Sequence, residues 1–225
     1  MKPIMDSNWF TRFEQVDASP QYLANMEEAT EHFMTWFVVG QDYVTMLTTM
    51  HEVATRNGYS GYTNTNGPIV PISSAFRGVN KEAWRPLLKK NWFSGVNIYR
   101  NGIIKPCLKT LDLQGCHHLI NRHHGYELHL PNEDRVLDFL ARMETVMETL
   151  RYTFSADLLA EYIQLFVVGH PFERVNYAVC MAQVNAVLYH YGYKPLLHGY
   201  FDFDCFIYDY DRIEKIFKLK LHKRG

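Results

Sequence analysis

The 225-residue chain sets 23 Lys and Arg against 24 Asp and Glu, a formal net charge of −1, and 47 % of it is apolar. Such a balance offers no basic excess for a dedicated nucleic-acid binder. The apolar share is ample for the core of one domain and too high for wholesale disorder, and aromatic residues at 15 % favour a densely packed interior or a ring-lined pocket.

The N-terminal stretch MKPIMDSNWF has no apolar segment of the kind a cleavable secretory signal needs, and no apolar run approaches the length of a membrane span. The first predicted helix starts at Ser19-Pro20, a hydroxyl cap followed by a proline in the first turn. From there Leu23, Met26, Phe33, Phe37, Val44, Leu47 and Met50 recur at helical spacing, with Gly40 as a break or kink and Asn57-Gly58 as the stop. Residues 58–80 are rich in turn formers and read as irregular. Residues 81–90 fit a short helix limited by Pro86. The stretch VNIYRNGIIK, residues 96–105, reads as a hairpin around Asn101-Gly102. Extended or loop structure then runs to Pro131.

The second half is more regular. Pro131-Asn132-Glu133-Asp134 opens a helix whose apolar face is Val136, Leu137, Leu140, Met143, Val146, Met147 and Leu150. Ser155 and Asp157 lead into a second helix carrying Leu158, Leu159, Tyr162, Ile163, Leu165, Phe166 and Val167. Apolar nearly all round, it belongs at the centre of the fold. A third helix spans about 174–191 and stops at Gly192, and a last one lies near 210–219. The pattern is mainly α, with one hairpin-like excursion.

Four cysteines, Cys107, Cys116, Cys180 and Cys205, form no C-x-x-C pair and read as free thiols. In CHHLINRHH, residues 116–124, histidines facing across a turn could ligate zinc or copper, but nothing nearby completes a ligand set, so polar surface residues are the stronger reading. YFDFDCFIYDYD, residues 200–211, lacks the glycine and spacing of a calcium loop. It reads as a turn plus a strand-like or helix-start segment with a buried aromatic face, or, if exposed, a partner-binding edge. The basic tail KLKLHKRG reads as a solvated end. No G-x-x-x-x-G-K-(S/T), G-x-G-x-x-G or G-x-S-x-G occurs, so P-loop, dinucleotide and serine-hydrolase chemistry has no support.

The most informative stretch is HPFERVN, residues 170–176, between the central helix and the next. With the approach YIQLFVVGHPF, the later Asn185 and GYKPL, and the upstream GYELHLPNEDRVLDFLARME, it resembles the Fic (Fido) family. That family's signature is H-P-F-x-(D/E)-G-N-(G/K)-R, and His170, Pro171, Phe172 and Asn176 stand in register with it. The resemblance covers about residues 126–197 and implies a Fic-like helical bundle with a small β-hairpin flap somewhere in 96–125. On that reading residues 1–40 are an N-terminal helical extension and 41–225 the Fic-like domain.

The family transfers AMP from ATP, or UMP, phosphate or phosphocholine, onto protein hydroxyls. The resemblance implies His170 as the general base, Asn176 in an anion hole at the start of the following helix, and Phe172 as the loop's buried anchor. It implies a nucleotide donor such as ATP and a target or partner protein, with a homo-oligomer left open. It also implies a bacterial cytoplasmic protein, or an effector delivered into a host cell.

Three signature positions differ. Arg174 replaces the acidic residue that would hold magnesium, which makes Mg doubtful. Val175 replaces the glycine, and Ala178 replaces the phosphate-gripping arginine. Arg174 could instead neutralise a phosphate directly. The alternative is a catalytically inactive Fic-like domain that binds a protein partner or nucleotide. The family's inhibitory pattern, (S/T)-x-x-x-E-(G/N), is matched only partly by TTMHEV, with Thr48 and Glu52 but Val53, and an ordinary helix with Glu52 exposed is expected.

Overall fold

The structure, a computed structural model, describes residues 20–56, 87–88, 103–104, 108–109, 118–122, 125–129, 131, 133–172, 174–199 and 201–225. In chain order these form α1 (Pro20–Val39), α2 (Tyr43–Ala54), β1 (Leu87–Leu88), β2 (Ile103–Ile104), β3 (His118–Arg122), β4 (Gly125–His129), α3 (Glu133–Tyr152), α4 (Ala156–Gly169), α5 (Asn176–His190), α6 (Phe201–Ile207) and α7 (Tyr210–Lys220). The fold is mainly α. No helix among the described residues is long and apolar enough to cross a membrane.

Helix α1 starts at Pro20, where the proline's missing N–H costs nothing. It breaks at Gly40, which is left-handed at φ 74° and donates its N–H to Trp36 O at 2.8 Å. Arg151 from α3 closes this end: its Nε donates to Phe37 O at 2.9 Å and its guanidinium lies over the Trp36 ring. A Cβ on Gly40 would come within 2.3 Å of that guanidinium, so the glycine serves both the turn and the approach. Two residues later Asp42 caps α2, its carboxylate accepting the Thr45 N–H at 2.8 Å. Helix α2 ends at Ala54, and the expected stop at Asn57-Gly58 lies outside the described residues.

The stripe read on α3 holds at six of its seven positions. Leu137 is 67 % exposed, and Phe139, fully buried, takes its place. At 100° per residue Leu137 sits about 120° from the middle of the buried stripe, while Phe139 lies within it. The Phe139 ring packs on the last turn of α4 at Gly169, where a Cβ would approach within 2.7 Å of it. Glycine therefore stands just before the loop because another helix's ring fills the space of a side chain.

Helix α4 is the centre of the fold, as its all-round apolar pattern requires. Ser155 caps it, and every residue from Leu159 to Gly169 is buried. It packs against α3, α5, α6 and α7. Its polar members are matched. Glu161, 2 % exposed, accepts from Arg142 of α3 at 2.9 and 3.1 Å, a two-point pairing that offsets the cost of burying the carboxylate. Tyr43 of α2 lies 2.7 Å from the Tyr162 hydroxyl, which donates to Gln183 of α5. Gln183 Nε2 in turn reaches Met50 Sδ at 3.4 Å. This buried polar chain fixes α2 against α4 and α5.

The strands form one antiparallel sheet in the order β1-β4-β3-β2. β3 and β4 pair from His118 opposite His129 to Arg122 opposite Gly125. One expectation is corrected. Leu87–Leu88 lie in a strand opposite Glu127 and Tyr126, where a helix was expected over 81–90. Ile103–Ile104 pair with Ile120 and Leu119, so these residues join the sheet through β3. The Asn101-Gly102 turn lies outside the described residues, and they give no support to a flap: the sheet's described packing sets β3 against α6.

Residues 201–207 form α6, the helical of the two forms expected for this segment. Phe201, Phe203, Cys205 and Phe206 are buried along it, and the alternating aromatics close on the core because nearly every side of this short helix is covered. The basic tail is exposed but tied down. His222 O accepts from Lys194 N at 2.7 Å, Arg224 N donates to Gly192 O at 2.9 Å, and the Arg224 guanidinium lies 3.9 Å from the centre of the Tyr189 ring.

Candidate functional site

The chain leaves α4 through His170. Its backbone is left-handed, φ 47° and ψ 59°, and its N–H closes the last turn on Phe166 O at 2.9 Å. Left-handed residues end helices because they turn the chain while satisfying the last carbonyls, a place usually held by glycine. The next residue, Pro171, cannot continue a helix. The His170 side chain is half-buried. Pro171 is buried and Phe172 is fully buried.

Asn176, the first residue of α5 and 3 % exposed, closes the loop back on itself. Its Oδ1 accepts the Phe172 N–H at 2.8 Å and its Nδ2 donates to the Phe172 carbonyl at 2.8 Å. The side-chain amide thus stands in for a strand partner. Asn185, further along the same helix, repeats the device: it bonds Leu196 N and O at 2.7 and 2.9 Å and so pins the chain after α5.

Val175, directly before α5, is left-handed at φ 63° and ψ 10°. This region is unfavourable for any residue with a Cβ and most of all for a β-branched one, at a cost on the order of 1–3 kcal/mol. His170 and Val175 are the two non-glycine residues with positive φ among the described residues, and they bracket the loop. Val175 stands at the N-cap of α5, and its side chain makes no capping hydrogen bond. The Arg174 side chain is exposed.

The loop also rests on α2. His51, fully buried, stacks on Phe172 with ring centres 3.8 Å apart and 15° between planes. Its Nε2 bonds the Arg174 carbonyl at 3.0 Å, which makes Nε2 the protonated nitrogen. Burial pushes its pKa down to about 4, and the Arg174 carbonyl opposes that shift. The fold therefore keeps His51 neutral where an unfolded chain would take up a proton below about pH 6.5. The stability this gives is present above that pH and is lost as the pH falls toward 4. Urea unfolding is expected to show about 2 kcal/mol lost through this group between pH 7 and pH 5, and His51→Gln to flatten the slope by that amount.

His170, Phe172 and Arg174 lie on the loop and Asn176 opens α5; Phe172 is held by Asn176 and His51, Arg174 is bonded through its carbonyl, and its side chain is exposed. Sequence reasoning missed His51. It flanks Glu52, which is exposed, and Thr48, whose hydroxyl donates to Val44 O at 2.9 Å. The available signal was its position four residues after Leu47, on the buried side of α2. Among the described residues no group of three or more His, Cys, Asp or Glu side chains is gathered as metal ligands. On the loop itself Arg174 presents a cation and no described residue from 170 to 176 carries a carboxylate, while Glu173 lies outside the described residues. Residues 116, 117, 123 and 124, the ends of CHHLINRHH, lie outside the described set. Cys180 and Cys205 are buried free thiols. No protein-family model matches the chain, and no curated protein matches it.

Proposed function

We propose that the chain is a Fic-like domain whose 170–176 loop takes a nucleotide or other phosphate-bearing donor and transfers part of it slowly to a protein hydroxyl. In this reading His170 removes the proton from the target Ser, Thr or Tyr. The freed oxygen attacks the donor's phosphorus, and the bond to the leaving phosphate breaks. Such a step depends on alignment and on stabilising charge more than on covalent help. The N-terminal end of α5 and the Arg174 side chain would supply that stabilisation. A segment within 96–125 would be the flap that aligns the target. No step is assigned to magnesium.

The observation that carries the reading is Val175. The loop keeps a left-handed backbone where the family has glycine, although the side chain makes that conformation costly. Strain held between two ordered helices points to a loop shape that matters.

One observation favours the second reading, an inactive Fic-like domain that binds a partner. Both ends of the Asn176 amide are engaged by Phe172, and Ala178 offers no cation to a phosphate.

Calorimetric titration with ATP, other nucleoside triphosphates and CDP-choline, with and without magnesium, separates the two. On the transfer reading a donor binds without metal, and Arg174→Ala weakens it by about tenfold, the loss of one charge-assisted contact. Transfer of label to protein then falls by about 100-fold or more in His170→Ala, as for loss of a general base. If no donor binds the folded protein, the transfer reading fails and a protein partner becomes the target of the search.

A further inference from the structure

We infer that His51 on α2 is the positioning residue of the 170–176 loop, and that the loop is released from α2 when His51 takes up a proton. The inference is independent of whether the loop takes a nucleotide.

Three features carry it. His51 touches the loop at both of its halves, stacking on Phe172 and bonding the Arg174 carbonyl. The loop it holds is strained at both ends, with left-handed His170 and Val175, so holding it in place requires contacts from outside. Finally, α2 cannot drift. Tyr43, eight residues before His51, and Met50, next to it, are tied to α4 and α5 through Tyr162 and Gln183. His51 is thus delivered to the loop by a helix registered in the core.

The chemistry of the switch is desolvation. A protonated imidazole can still donate from Nε2, so the bond to Arg174 is not what fails. A buried cation is what becomes untenable, and exposing it means separating α2 from Phe172. Among the described residues, Glu52 on its own helix is exposed and Glu28 on α1 is paired with Arg56. Burial is the main cause that keeps His51 neutral, and the bond to the Arg174 carbonyl opposes it.

The test is hydrogen exchange on the full chain between pH 7 and about pH 4.5, corrected for the intrinsic rate at each pH. The amides to follow are those of His170 and Phe172, which bond Phe166 O and Asn176 Oδ1, with the Gly40 amide, bonded to Trp36 O, as the core reference. In wild type, protection at 170 and 172 is expected to fall at least tenfold relative to Gly40 as the pH drops. In His51→Gln, which keeps a donor near the Nε2 position but cannot be charged, the ratio is expected to stay flat. His51→Phe keeps the stack and also removes the charge, and it is expected to be flat too, so the test stands if one variant fails to fold. A wild-type ratio that does not change with pH overturns the inference. So does an equal fall in the uncharged variants.

Discussion

Phe172→Ala is expected to destabilise the protein by about 3–5 kcal/mol, the range for removing a fully enclosed aromatic ring that its surroundings cannot refill. The surroundings here are stiff. The ring is sandwiched against His51, its own backbone is clamped by Asn176, and the residues at both ends of the loop are already in left-handed conformations. The core cannot relax into the space without changing the loop, so the loss belongs near the top of the range. Phe172→Leu, which keeps much of the volume, is expected to cost roughly half as much. Urea unfolding reads both. A lowered midpoint with an unchanged slope is the expected form. A loss of under about 1 kcal/mol in the alanine variant would mean that the loop does not depend on the ring.

Asn176→Ala is expected to cost about 3 kcal/mol. The substitution strips partners from two backbone groups of Phe172, and a buried N–H or C=O left unpaired costs roughly 1–3 kcal/mol. The effect should be local as well as global, with the Phe172 amide exchanging far faster while the Asn185 clamp on Leu196 is untouched. If stability is unchanged, the reciprocal clamp is not the loop's closure. The geometry also bears on ligand work. A variant at 176 would weaken binding whether or not the side chain touches a ligand, because the loop loses its shape. Arg174, exposed and bonded to α2 only through its carbonyl, is the cleaner position to probe, and His170 follows it.

The helical frame was readable because each helix carried its own punctuation. Pro20, Ser155 and Gly192 mark ends by local backbone chemistry, and those ends were placed to within a residue or so. The loop was readable for the same reason, since a proline after the last turn of an apolar helix forces the chain out. The short strands were less legible. Leu87–Leu88 and Ile103–Ile104 are two residues each, too short to carry a period, and they are strands only because β4 and β3 lie beside them. In α6, alternating acids and aromatics look like a strand until packing against α4 buries the aromatics of a helix.

The sequence by itself determined a mainly helical chain, a central apolar helix and a His-Pro-Phe exit from it, because those follow from periodicity, caps and the fixed geometry of proline. Only the tertiary structure decided what holds that exit. Val175 adopts a conformation its side chain opposes, since the surrounding helices outweigh a local cost of about 1–3 kcal/mol. Asn176 is turned inward to the Phe172 backbone. His51, 119 residues before His170 in the chain, is brought over the loop by a buried chain of hydroxyls and amides. Contacts between such distant residues leave no local signature, because they depend on which helix faces which and not on the residues alongside.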